Sequence, residues 1–330
     1  MMSTPKIRIP QEPGRVLMLA VAWVIAANIF VVPGAWAEDS GPPAPIGHWA
    51  EPERTLMVKM GIASAGWRLD ENCNRSRYAS MLAALIGVED VSGLVTAGVL
   101  RGFPDGQHHL ERPVTRAEAA VMLSRALTYL QASGVAGPVR QAGDSGGDPR
   151  APGPVFTDIA GHWAAGAIVQ GTEMGIFKGY GDGTWKPGRE LSTGEAVAIL
   201  ARFAYATPPP AVNTAVEGVV ASVSGYYEAL AAGLSHNPVD VAAAAAYTTG
   251  AAHQSLLNNA GAAAGLTAGN TSIHIHIQEL QTTIVTRSAL VAVVQVDRQT
   301  VEIVDGKATP NDISEVLYLR LTPSGWKIFH

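Results

Sequence analysis

The chain reads as a multidomain protein: an all-α array of helix-turn-helix repeats followed by an α+β domain with an antiparallel sheet. Three observations in the 330 residues predict this. A Gly-His-Trp-Ala motif at 47–50 returns at 161–164 with matched spacings behind it. A Thr-Pro-Pro-Pro run at 207–210 precedes a change of composition. After Ser272, apolar residues alternate at the strand period of two, whereas earlier they recur at helical spacing. The length suits about two domains at roughly 100–200 residues each. Only 15% of residues are charged, and the net charge is −5. Lacking a basic footprint, the chain is not expected to bind nucleic acid. A lone cysteine, Cys73, supplies neither an intrachain disulfide nor a structural zinc site.

Residues 1–37 read as an export signal. Lys6, Arg8 and Arg15 precede an apolar run from Val16 to Val32, then Pro33-Gly34 and the small-residue site Ala35-Trp36-Ala37. That order predicts a secretory signal peptide cut after Ala37. The alternative is an uncleaved anchor, since the run is close to the shortest length that spans a bilayer. The Pro-Gly break and the Ala-x-Ala site favour cleavage, hence a secreted protein.

The repeats come next, at 45–87, 88–130 and 155–206, with a Gly/Pro-rich linker at 131–154. Trp49 lies twelve residues before Gly61, as Trp163 does before Gly175. Trp67 precedes Arg75 by eight residues, as Trp185 precedes Thr193. Sixteen residues separate Gly102 from Glu118, and sixteen separate Gly179 from Glu195. Each copy reads as helix, Gly-rich turn, helix. Thr115-x-x-Glu118 and Ser192-x-x-Glu195 predict capping boxes at the second helix of copies two and three. Asn74 is a good N-cap in copy one, but Arg77 stands where the glutamate should be.

Phe156-Thr-Asp-Ile-Ala-Gly-His-Trp163, Gly179-Tyr-Gly-Asp-Gly-Thr-Trp185 and Val114-Thr-Arg-Ala-Glu118 resemble the S-layer homology family over residues 45–206. The resemblance implies a pseudo-threefold bundle whose grooves hold secondary cell-wall polysaccharide, often pyruvylated, or peptidoglycan. It assigns polysaccharide contacts to Thr115, Arg116 and Glu118, to Arg75, and to Trp163, Asp182 and Gly183. The chemistry is sensible. Arg116 falls at the first position of a capped helix, where free amides and the helix dipole favour anions, and its fork can grip a carboxylate. The bland alternative is a capped helix with a solvated arginine. The chain also departs from the family pattern: Thr193 replaces the arginine in copy three, copy one lacks four residues of the turn, and copy two lacks its tryptophan. One groove or two are therefore expected, around Arg116 first and Arg75 next. Trp49 and Trp163 are expected in the core, with sugar stacking as the alternative. His108-His109 should be partly buried and Cys73 a buried thiol. The Gly-Asp-Gly turns lack the acids of a calcium loop, so neither metal nor cofactor is expected.

Residues 207–214 read as a stiff linker, and 215–330 as the second domain. A helix from Ala215 carries Val219, Val223, Tyr226, Tyr227 and Leu230 on one stripe. Asn237-Pro238 should open a second helix running through Ala246, and Ala251 to Ala264 a third. Ile273, Ile275 and Ile277 share one strand face, and a long segment spans Ala289–Val304. Asp305-Gly306 and Pro310-Asn311-Asp312 should turn the chain into Val316–Leu321, and Pro323-Ser324-Gly325 into Trp326–Phe329. Helices first, then a meander ending in Gly-Trp-Lys-Ile, resemble the nuclear-transport-factor-like (SnoaL-like, cystatin-type) cone. That family implies a curved antiparallel sheet around a long helix and a pocket. It includes isomerases, dehydratases, ligand binders and dimerisation modules, so a homodimer through this domain is one expectation. His274 and His276 share a strand face and could serve as a base or metal ligands, but no acid is placed near them by sequence. The reading is a secreted, wall-anchored, non-catalytic surface protein with a ligand-binding or dimerising C-terminal domain. The alternative is a wall-tethered enzyme.

Overall fold

A computed structural model describes residues 48–139, 156–211, 214–236, 238–266 and 273–330. The expected export signal at 1–37 and residues 140–154 of the expected linker lie outside the described residues. Three helix pairs form the first half: α1 (Glu51–Lys59) with α2 (Arg75–Ile86), α3 (Val91–Thr96) with α4 (Arg116–Ala132), and α5 (Ala165–Glu173) with α6 (Thr193–Ala206). The pairs close into a ring, with α2 against α3, α4 against α5, and α6 against α1. Met57, Met81, Leu85, Leu100, Leu127 and Phe203 fill its centre, each nearly or fully inaccessible to solvent.

Closure is set by backbone hydrogen bonds between equivalent positions. The Cys73 amide donates to the Leu191 carbonyl (2.8 Å), Leu191 to Val114 (2.9 Å) and Val114 to Cys73 (2.8 Å). Around this cycle the first helical residues repeat the pattern, Arg75 donating to Arg112, Arg116 to Arg189 and Thr193 to Glu71. One residue on, Ser76 donates to Leu110, Ala117 to Pro187 and Gly194 to Leu69. The free amides at each helix start are thus satisfied by the next copy's loop. Both expected capping boxes are present, and Asn74 accepts from the Arg77 amide. Cys73 is fully buried at the axis, and burial pushes its thiol up to about 12.

The second half begins with α7 (Thr214–Leu234), α8 (Ala242–Ala245) and α9 (Gly250–Leu266). Four antiparallel strands follow in the order β1 (Ile273–Arg287), β2 (Val291–Val304), β3 (Lys307–Thr322) and β4 (Gly325–Ile328). Val219, Val223, Tyr226, Tyr227 and Leu230 of α7 pack on the inner sheet face with Ile273, Ile275, Val294, Val296, Leu317 and Trp326. Two sequence expectations fail here. The second helix shrinks to Ala242–Ala245, because the chain before it folds back on α7. There the Asp240 amide donates to the Gly233 carbonyl, and its carboxylate caps Ala242. Pro310-Asn311-Asp312 is no turn: β3 runs through it, with Pro310 opposite Val301. Proline is tolerated because β4 covers only Leu319–Thr322, leaving the rest of β3 as an edge with no ladder bond to lose. Asp305-Gly306 does turn the chain, both residues adopting positive φ (49° and 81°) as a two-residue hairpin requires.

The two halves share a packed boundary. Thr207 is fully buried; its carbonyl accepts from the Ala289 amide (2.9 Å), and the Pro208 carbonyl from Gly137 (2.8 Å). The Ser288 hydroxyl donates to the Ala204 carbonyl (2.7 Å) and Arg320 to that of Ala84 (3.0 Å). Ala289, Leu290, Val291 and Phe329 join the helical core. At the same boundary Gly250, with φ of 57°, leaves no room for a side chain, since a Cβ would fall 2.0 Å from the Lys59 carbonyl oxygen. The native protein should therefore show no titratable thiol to Ellman's reagent at mildly alkaline pH, and one thiol in strong denaturant. Rapid labelling of the folded chain would contradict the axial placement of Cys73.

Candidate functional site

The residues assigned to polysaccharide contacts gather at the junctions where one copy's second helix meets the next copy's loop. At the junction of copies two and three, the Arg116 Nε donates to the Trp185 carbonyl (2.9 Å) and its Nη2 to that of Lys178 (3.0 Å). The guanidinium lies against the rings of Trp185 (4.4 Å) and Tyr180 (5.2 Å). Arg116 is only 7% exposed, and burial lowers its pKa. At the junction of copies one and two, Arg75 repeats this: Nε to the His108 carbonyl (3.0 Å), Nη2 to that of Arg101 (3.4 Å), and the guanidinium over Phe103 (4.8 Å). Arg75 is 3% exposed. Both arginines tie one copy to the next, with Nε and Nη2 committed in each and Arg75 Nη1 also set against Glu118.

Around them sit more accessible charges. Arg112 pairs with Glu118, and Arg189 with Glu195, at equivalent positions. Thr115 and Glu118 complete their capping box while Glu118 also approaches Arg75 (3.4 Å). Lys186 and Arg189 join Arg116 around the Tyr180 ring. Neither Lys186 nor Tyr180 stood out in the sequence, because only folding brings them beside Arg116. Asp158 accepts from the Trp185 and Lys186 amides (2.8 and 2.7 Å). Although burial opposes it, those bonds hold its carboxyl below the usual range. Asp182 shapes its turn: the Thr184 hydroxyl and amide, with Lys186, hold its carboxyl down to about 2. Gly183 takes a φ of 76° there, as Gly106 does (75°) in copy two.

The tryptophans correct the sequence expectation. Trp49 and Trp163 are 57% and 65% exposed, not core. The core tryptophan of the helical half is Trp185, at 1%. The reason is local: His48 and His162 take the inward position, each accepting the amide two residues on at 3.1 Å, and each ring lies tilted against its tryptophan. Of the histidine pair expected to be partly buried, His108 is half-buried, whereas His109 is exposed, turned outward at a φ of 44° toward Asp105.

In the C-terminal domain His274 and His276 are exposed on the outer face of β1, opposite the face that carries Ile273 and Ile275. The inner face holds a buried polar group. Arg298 Nε donates to Glu315 Oε1 (3.0 Å), which also accepts from the Tyr227 hydroxyl. The guanidinium covers the Tyr227 ring at 4.8 Å. Thr300 and Glu302 lie further along the same face, both buried. Arg298 Nη2 and Thr300 Oγ1 have no hydrogen-bond partner among the described residues. Burial raises the Glu302 carboxyl above its ordinary value of 4.5, opposed by the charge of Arg298.

The helical repeats have counterparts among known proteins. Residues 155–197 match the S-layer homology domain. The chain is 38% identical over 105 residues to Cell surface glycoprotein 1 of Acetivibrio thermocellus, covering 32% of this chain and 4% of that protein. It is 32% identical over 112 residues to the Cellulosome-anchoring protein of the same organism, covering 32% of this chain and 21% of that protein. It is 23% identical over 203 residues to an uncharacterized cell wall amidase of Bacillus anthracis, covering 55% and 35% respectively. The chain thus spans well under half the length of each. No helix of the described residues is long and apolar enough to cross a membrane.

Two outcomes follow for the inner-face cluster. Glu315→Ala should destabilise the chain by about 3–5 kcal/mol in urea unfolding, because it strands a buried guanidinium. Folded Glu302 holds its proton to higher pH than the unfolded chain. Stability from this group is therefore complete below the unfolded value and declines as pH rises through the folded one. Glu302→Gln should flatten that decline and raise the urea midpoint at neutral pH; an unchanged slope would show that Glu302 ionises freely.

Proposed function

We propose that the chain is a non-catalytic surface protein held non-covalently to the bacterial cell wall by its helical repeats, which bind an acidic secondary wall polysaccharide, pyruvylated in the simplest case. The observation that carries this reading is the junction geometry within and around 155–197. Fixed cations and aromatic rings stand at the start of capped helices, and an exposed tryptophan precedes α5, a set suited to a sugar bearing a carboxylate. The names of the relatives, a surface glycoprotein and an anchoring protein, fit the same reading.

The C-terminal domain is then a ligand-binding or dimerisation module presented from the wall. The open donors of Arg298 and Thr300 support ligand binding over catalysis, since His274 and His276 lie across the sheet from Glu302 and Glu315. Self-association would use the exposed apolar side chains of the sheet, Val285 and Val316.

The test is co-sedimentation with purified sacculi before and after acid extraction of the secondary polymer. Pelleting with intact sacculi, weakened by salt and lost on extraction, is expected. Retention after extraction would reassign the partner to peptidoglycan, and no pelleting at all would overturn the reading.

A further inference from the structure

We infer that the junction between copies three and one is a carboxylate-sugar site built around Arg77; this rests on the wall-polysaccharide reading and names a site for it. The argument starts from charge placement. At the other two junctions each accessible cation at the helix start has its acid: Arg112 has Glu118, Arg189 has Glu195 and Lys186 has Asp182. In copy one the two positions are exchanged. Glu71 stands where Arg112 and Arg189 stand, and Arg77 stands where Glu118 and Glu195 stand. The exchanged pair does not reform. Glu71 lies by Arg68 (3.6 Å) and Asp70 by His48 (3.1 Å). Arg77 has no carboxylate partner among the described residues.

Arg77 instead restores the cation that Thr193 removed. Its Nη1 donates to the Thr193 hydroxyl (2.9 Å), across the junction, and its guanidinium lies over the Trp67 ring at 5.0 Å. A guanidinium pinned at one nitrogen on an aromatic face keeps the rest of its fork for a planar anion. Unlike Arg75 and Arg116, Arg77 is only half-buried. The shortened turn of copy one explains this, since it has nothing corresponding to Phe103 or Tyr180 to roof the cation. Apolar walls remain. Trp67 lies beneath, and exposed Trp49 follows His48, whose ring sits against the first turn of α6 where only Gly194 leaves room. A cation with no acid partner among the described residues, lying over one indole, suits a pyranose ring bearing one carboxylate.

Three variants separate binding from folding. Arg77→Gln removes the charge. Arg77→Glu would complete a capping box with Asn74, so its helix start should be at least as stable while its charge is wrong. Lys307→Gln, on the exposed β2–β3 hairpin of the other half, is the control for charge loss. Binding of the full chain is read by sacculus pelleting and by tryptophan fluorescence. The fluorescence probe is the oligosaccharide released from sacculi by acid, with its carboxyl-reduced form for comparison. The expected result is wild-type-like binding by Lys307→Gln and a loss of about ten- to hundredfold by Arg77→Gln, the range for one charge-assisted contact. Arg77→Glu should not bind measurably, and the reduced oligosaccharide should bind wild type weakly. Wild-type-like affinity in both Arg77 variants would overturn the site while leaving the wall reading intact. Arg77-dependent fluorescence without pelleting would keep the site and remove the wall reading. Absence of both signals would overturn both.

Discussion

The cycle of hydrogen bonds through Cys73, Val114 and Leu191 is the constraint on which the helical half depends. Each of these residues precedes a helix N-cap, so the cycle fixes where three helices begin and aims their free amides at a neighbouring loop. A single copy could not satisfy those amides alone; closure supplies the missing acceptors. The hydrophobic core then fills around an axis already defined by backbone geometry. This accounts for the mixture of side chains at the axis, a thiol, a valine and a leucine, which share only burial and the right backbone.

The same closure explains why the arginine found at the helix start in two copies is replaced in the third. Arg116 and Arg75 reach from a helix start to two carbonyls of the next loop, and those carbonyls exist because the loop has a ten-residue turn. Copy one has the short turn, and the facing position is Thr193. An arginine there would lack a counterpart of the Lys178 and Arg101 carbonyls, and threonine instead accepts from Arg77. Loop length and residue identity changed together, for one physical reason.

The boundary between the halves shows a second dependence. Ser288 holds the β1–β2 turn to the end of α6, and Arg320 reaches the carbonyl of Ala84 at the end of α2. The C-terminal sheet thereby covers apolar surface that the helical ring would otherwise expose, through Leu290 and Phe329. Prolines at 208–210 lie in a packed crossing, whereas composition alone suggested a spacer.

Much of this was legible in advance, because spacing and capping are local. Matched intervals located the helix pairs; Ser, Thr and Asn at the N-caps placed the helix starts; alternation placed the strands. Local signals failed where a residue's fate depends on a neighbour distant in sequence. Trp49 looked like a core residue, but His48 took the inward position, in space that Gly194 of another copy leaves open. Pro310 looked like a turn, but an open sheet edge tolerates it. Arg77 looked like a defective cap, and only its approach to Thr193 and Trp67 makes it a candidate ligand. The sequence by itself determined which elements form and where they start, since those depend on residues within a few positions of one another. Tertiary structure alone decided which charges are spent on holding the copies together and which stay open to a partner, because that depends on what the facing loop brings within reach.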